Sequence, residues 1–235
     1  MTFEPDKHER QLIEQGYTLI EGITSADEAE VVLKEFGTLI PQYNGEIRYD
    51  VKASDEYRKR TFSKSVNGIP WHIDAPSWEP PPLRMALHCR RQARCGAGHT
   101  ELVDMRPFIA SLDEEDHAAL YERAVPWIDR NTKDGVTRPI IEVTADGQEI
   151  IRWRQSLLVG NSDPRLLGER GERRPLGEFG VRLAELSDRW IAQHMVPVLI
   201  PDDAILLWDN VRLIHRRGTF EDPARHLARY WMAAR

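Results

Sequence analysis

A chain of 235 residues, 41% of them hydrophobic, is long enough to bury one sizeable core and fits a single domain spanning 1–235. Its formal net charge of −6, with acidic and basic residues interspersed, offers no basic stripe to track a phosphate backbone, which argues against nucleic acid as a partner. Two cysteines, Cys89 and Cys95, are too few for a disulfide scaffold, no apolar run approaches the ~20 residues that span a bilayer, and the first residues lack the basic-then-apolar order of a signal peptide. The expectation is a cytoplasmic protein with free thiols and no membrane partner.

In chain order, residues 17–20 read as a strand after Gly16. Ser25-Ala26-Asp27-Glu28 reads as a capping box opening a helix through Val31, Val32, Leu33 and Phe36. The polar stretch 44–64 reads as an irregular connection bordering the site entrance. A buried strand over 83–90 follows the brake Pro80-Pro81-Pro82. Ser111-Leu112-Asp113-Glu114 resembles a second cap, opening a helix through Leu120 and Tyr121, and residues 139–153 form a hairpin around Ala145-Asp146-Gly147. Arg170, Arg173 and Arg174 alternate with Glu in a glycine-containing stretch that reads as a solvated loop. An amphipathic helix over 179–194 carries Leu183, Leu186, Trp190 and Ile191 at helical spacing; Pro197 ends it and a strand resumes over 198–200. Residues 208–215 read as strand, turn and strand, with Asp209 and Asn210 shaping the turn. Many strands with a few flanking helices indicate a mainly β fold, a double-stranded β-helix (jelly-roll) barrel.

The chemistry starts at Trp71-His72-Ile73-Asp74. In extended structure His72 and Asp74 point to the same face, two neighbouring ligands for one divalent metal, and His215 is a third candidate far downstream. Two imidazoles and a carboxylate leave half of an octahedral iron site open, which suits oxidation; the H-E-x-x-H pattern of hydrolytic zinc is absent. Read alone, H-x-D also describes an ion pair. Near the C-terminus, Arg225, Leu227, Arg229 and Trp231 share one face by period-two alternation, so two arginines point the same way. Both could lie in solvent, or one could clamp a dicarboxylate by a two-pronged hydrogen bond. His88, His99, His117 and His194 read as lone histidines outside the metal site.

The order H-x-D, then Gly96-Ala97-Gly98-His99-Thr100, then D-N-x-x-x-x-H, then R-x-x-x-R resembles the Fe(II)/2-oxoglutarate dioxygenases of the taurine dioxygenase and clavaminate synthase-like group. The resemblance implies that His72, Asp74 and His215 bind Fe(II) and that Thr100 and Arg225 hold the far carboxylate of 2-oxoglutarate. Arg229 takes the second Arg position, which meets an anionic substrate in some members and organises the site in others. Arg152 and Arg154 alternate with Trp153 and share one side, in a region that often borders the substrate pocket in the family, the alternative being an exposed strand face; Trp71 adjoins the first ligand and reads as packing or as a substrate wall. O2 would be the second cosubstrate, with release of succinate and CO2 and hydroxylation of a C–H bond in a small molecule, an amino acid or carboxylated natural-product intermediate. Asp74 fills the position that related halogenases free for chloride. Two departures count against carrying over taurine itself: the loop from His215 to Arg225 is one residue shorter, and the chain is short for the group. The alternatives are an inactive ligand-binding or sensory barrel and a metal enzyme that needs no 2-oxoglutarate. Oligomeric state has no signature in the sequence.

Overall fold

The structure is a computed structural model describing residues 3–54, 56, 63–129, 134–160 and 176–234. Its N-terminal elements are α1 (Pro5–Gln15), β1 (Tyr17–Glu21), α2 (Ala26–Leu33), β2 (Thr38–Ile40), β3 (Arg48–Lys52), β4 (Ile69–His72) and β5 (Arg84–Arg91). Then come β6 (Thr100–Asp104), α3 (Arg106–Ala110), α4 (Glu114–Glu122), β7 (Val125–Ile128), β8 (Gly135–Arg138), β9 (Ile141–Val143), β10 (Glu149–Ile151) and α5 (Gln155–Leu158). The chain closes with α6 (Gly177–His194), β11 (Val196–Val198), β12 (Ala204–Asp209), β13 (Leu213–Arg217) and β14 (His226–Ala233). Among the described residues, two antiparallel sheets dominate. The larger runs β1-β12-β5-β14-β2, with β3 also on β14; the smaller runs β11-β6-β13-β4. Two hairpins, β7 with β8 and β9 with β10, stand apart.

Strand periodicity builds the layers. In β12, Ile205 and Leu207 face one way, with Leu12, Leu33 and Phe36 of the N-terminal helical region, while Ala204, Leu206 and Trp208 face the other. In β14, Ala228, Tyr230 and Met232 join the helix side, and Leu227 and Trp231 the inner side. The small sheet contributes Leu102 and Leu213 to that inner core and turns Val103, Ile214 and Trp71 outward onto α3, α4 and α6. The order is therefore helices, large sheet, small sheet, helices, with the site between the sheets. Each buried Leu, Ile or Phe in these layers contributes about 1.5–3 kcal/mol by leaving water.

Several expectations change on inspection. Among the described residues the strand pairing leaves the two main sheets separate and does not close them into a barrel. Residues 48–52, expected to be irregular, form β3 on β14; only Val51 is buried, so alternation over one edge strand was too faint to read. The second cap is Asp113, whose carboxylate accepts from Asp116 N at 2.7 Å, while Ser111 closes α3. Helix α1 went unread because Leu12 is its one fully buried residue; Gly16, at φ 82°, takes the left-handed cap that L-residues avoid. At the first cap Ser25 accepts from Glu28 N as expected, while the Glu28 carboxylate accepts from Thr24 N, one residue before the cap. Arg170, Arg173 and Arg174 lie outside the described residues.

Candidate active site

His72 and His215 are register partners across β4 and β13. Directly opposed residues of an antiparallel pair point to the same face with Cβ atoms about 5 Å apart, so two imidazoles remote in sequence become neighbours. Their ring centroids are 4.3 Å apart. Asp74, two residues past His72, turns to that same face, and its Oδ1 lies 3.4 Å from His72 Nε2 and 3.5 Å from His215 Nε2. One donor atom from each of the three falls within 4.8 Å of the others, a set that can hold a metal ion. His72 Nδ1 lies 2.7 Å from Pro70 O; a carbonyl can only accept, so Nδ1 carries the proton and Nε2 keeps its lone pair for a metal. Two nitrogens and one oxygen on a single face fit Fe(II) with open positions.

Asp74 is held at both its carboxylate and its peptide groups. Its Oδ2 accepts from Arg229 Nη1 at 2.9 Å and from Trp231 Nε1 at 2.8 Å, which leaves Oδ1 facing the histidines. Its peptide is clamped from both sides by Asn210: Asp74 N donates to Oδ1 at 2.8 Å and Nδ2 donates to Asp74 O at 3.1 Å. Gln42 closes the second tier, accepting from Arg229 Nε and donating to Arg229 O, each at 2.8 Å. Burial opposes the charge on Asp74, but the Arg229 guanidinium beside it, with the neighbouring His215 and His72, outweighs burial and holds the carboxyl well below its usual range. Burial and the neighbouring His72 push the His215 imidazole down to about 4 against the pull of Asp74, so it stays neutral and able to ligate at pH 7. The supporting roles of Gln42, Asn210 and Trp231 escaped sequence reasoning. Asp209 does shape the turn, accepting from Val211 N and Arg212 N, but the Asn210 side chain reaches across to Asp74, a contact no local pattern encodes.

At the other end of the same cavity stand Thr100 and Arg225, both buried. Arg225 donates from Nε to Gln92 Oε1 at 3.0 Å and from Nη2 to Gly98 O at 3.1 Å, both neutral oxygens. The glycine turn makes this approach possible: Gly98 sits at φ 83°, and a Cβ there would lie 3.2 Å from Phe220 and 3.3 Å from Arg225 Nε. Burial lowers the Arg225 guanidinium to about 10, still cationic at pH 7. A buried cation bonded to neutral oxygens is a receptor for a carboxylate. Arg217, the cross-strand partner of Thr100, lines the cavity as well and is lowered to about 9 by burial and by Arg225.

The remaining expected pocket residues separate. Trp71 does not line the cavity: alternation that sends His72 and Asp74 inward sends Trp71 and Ile73 outward, into the helix-side core, with Arg216 stacked 4.8 Å from the Trp71 ring. Arg152 is fully buried and donates to Pro76 O, Trp78 O, Glu79 and Glu142, so it braces the turn after Asp74 and has no face toward the cavity. Arg154 differs. It forms an antiparallel bridge with His72, which places the two side chains on one face, and its Nη1 donates to Ile128 O at 2.9 Å. Arg229 is committed to Asp74 and Gln42.

Facing antiparallel sheets, a two-histidine, one-carboxylate cluster and a buried arginine at the far end of its cavity define the class of non-haem iron oxygenases. The chain belongs to the taurine catabolism dioxygenase TauD, TfdA family, whose profile matches residues 4–231. It is an Fe(II)/2-oxoglutarate-dependent dioxygenase. No curated protein matches it significantly. Among solved structures it is similar to an asparagine oxygenase in complex with Fe(II), 2S,3S-3-hydroxyasparagine and succinate: TM-score 0.75 and 13% identity over 97% of this chain and 78% of that one. The non-haem iron oxygenase OrfP, in complex with Fe and alpha-ketoglutaric acid, aligns with TM-score 0.68 and 16% identity over 98% and 80% of the two chains. PvcB from Pseudomonas aeruginosa aligns with TM-score 0.68 and 19% identity over 99% and 81%. At these identities the likeness speaks for the fold. Among the described residues no helix is long and apolar enough to cross a membrane.

Proposed function

We propose that this protein hydroxylates a C–H bond of a small molecule, an amino acid or a carboxylated natural-product intermediate, in the cytoplasm, releasing succinate and CO2, and that its facing sheets are the halves of a double-stranded β-helix forming one domain. The observation that carries the reading is the division of labour on Asp74: one oxygen tied by Arg229 and Trp231, the other turned to both imidazoles. Bound iron with 2-oxoglutarate and O2 supplies an oxidant able to take hydrogen from an unactivated carbon.

The residues around it bind and orient. In this reading His72, Asp74 and His215 hold iron, Arg225 and Thr100 take the far carboxylate of 2-oxoglutarate, and Arg229 fixes the Asp74 rotamer. Arg154 reads the substrate anion, because it shares a face with His72, the most exposed of the three ligands, and Arg229 is engaged elsewhere. An amino-acid substrate is supported by the ligands of two structural neighbours, 3-hydroxyasparagine on the asparagine oxygenase and (3S)-hydroxy-L-Arg on an OrfP variant.

The test is succinate release by the Fe(II)-loaded protein given 2-oxoglutarate, O2 and a panel of amino acids and other carboxylates. The expected result is one substrate class that raises succinate at least ~10-fold, with KM for that substrate raised a further ~10-fold in Arg154→Ala, about 1.4 kcal/mol of lost binding. Turnover that persists without 2-oxoglutarate, or binding of iron and cosubstrate without substrate-triggered succinate, would overturn it.

A further inference from the structure

Tyr43 belongs to none of the roles above, yet it packs against the shell that holds Asp74. It lies in the turn between β2 and β3, and one residue fixes that turn: Gln42 donates from Nε2 to Ile47 O at 2.9 Å as well as to Arg229 O, while Gln42 N donates to Glu46 O at 2.9 Å. The Tyr43 ring stands edge-on to Trp231, centroids 4.7 Å apart, and to Trp78 at 5.8 Å, and the two indoles meet edge-on at 5.0 Å. Trp231 is the indole that donates to Asp74 Oδ2, so a single ring links Tyr43 to the metal-site carboxylate. Despite this packing, Tyr43 is 41% exposed. Burial, and after it the charge of Asp74, push the phenol above its ordinary range; Arg229, Asp129 and Arg154 are the other charges that act on it. A hydroxyl set deep among protein atoms, on a residue that still meets solvent, lines an open concavity. Among the described residues that hydroxyl makes no hydrogen bond.

We propose that Tyr43 is a specificity-determining residue of this oxygenase: its ring walls the substrate's place on the Asp74 side, and its hydroxyl donates a hydrogen bond to an oxygen of a carboxylated substrate. A neutral phenol at pH 7 is a donor to such an oxygen. Because Trp231, Trp78 and the Gln42 turn fix the ring before any substrate arrives, the wall selects by shape as well as by its hydrogen bond. Removing the hydroxyl weakens the substrate that uses it, and removing the ring admits bulkier ones. The inference rests on, and deepens, the reading of this protein as an oxygenase of amino acids or carboxylated small molecules.

The test follows succinate release by the Fe(II)-loaded protein with 2-oxoglutarate and O2, using the proteinogenic L-amino acids and straight-chain dicarboxylic acids as probes. In Tyr43→Phe, which keeps the ring against Trp231 and Trp78, the KM of the best wild-type probe should rise about 10-fold. In Tyr43→Ala, the ratio of kcat/KM between that probe and its next bulkier homologue should shift at least ~10-fold toward the bulkier one. Affinity for 2-oxoglutarate, read without oxygen from the charge-transfer absorbance, should stay within ~2-fold of wild type in both variants, with iron stoichiometry unchanged. Wild-type KM in the Phe variant together with a wild-type ratio in the Ala variant would overturn the proposal. So would equal losses for every probe, or weakened binding of iron and cosubstrate, because those mark a structural role alone. A charge-transfer band in the wild type that no probe converts into succinate release would instead overturn the functional reading beneath it, and the inference with it.

Discussion

The two ends of one cavity solve opposite electrostatic problems. At the metal end the charges are already matched, Asp74 against Arg229, and the surrounding Trp231, Asn210 and Gln42 fix geometry. At the other end Arg225 donates to the neutral oxygens of Gln92 and Gly98, and in the proposed reading the carboxylate of a ligand completes the site. The contrast teaches that preorganisation takes two forms here. A metal site needs its ligands aimed before the ion arrives, whereas an anion site needs a desolvated cation that its ligand completes.

Substitutions can break that contrast. Replacing the metal end outright has the largest effect: Asp74→Ala and His215→Ala should each lower kcat/KM by at least ~1000-fold, and Asp74→Ala should also destabilise the fold by about 3–5 kcal/mol because it strands Arg229 in the interior. Comparing the thermal midpoints of the two variants checks this; equal midpoints would show that Arg229 does not depend on Asp74. At the other end, Arg225→Met should raise the KM for 2-oxoglutarate by about 100-fold, roughly 2.7 kcal/mol, while iron binds normally. Trp231→Phe keeps the aromatic packing and removes one hydrogen bond to Asp74, so iron affinity should fall about 10-fold, measured by competition with a chelator.

A pH titration sharpens the same comparison. With His215 neutral in the fold down to about 4, the unfolded chain takes up a proton near its ordinary value of about 6.5 while the folded chain does not. Stability of the metal-free protein should therefore fall as pH drops from 6.5 to 4, and Asp74, held low, adds its own loss below the ordinary carboxylate range. Denaturant midpoints across that window should show a shallower slope in His215→Gln. The smallest effect belongs to Trp71→Phe, outside the cavity, which should leave KM for substrate and cosubstrate within ~2-fold.

What the sequence made legible was periodicity. Alternation placed His72 with Asp74, and Arg225 with Arg229 and Trp231, each on one face, because side-chain direction in a strand is a local property. The same rule, carried one residue further, turns Trp71 away from the site. Parity said that Arg152 and Arg154 share a side, but not that one would be spent on the carbonyls of Pro76 and Trp78 while the other pairs with His72. The contacts of Asn210 and Gln42 are set by which strands pair and how the sheets face, information that is not local. Edge strand β3 and helix α1 were faint because each buries too little apolar surface to leave a pattern.

The most direct test of the central claim is anaerobic titration with Fe(II) and then 2-oxoglutarate, following the metal-to-ligand charge-transfer band. The wild type should develop the band with one equivalent of iron, and His72→Ala and His215→Ala should both lose it. A band that survives in His215→Ala would contradict the joining of these two strands around one iron.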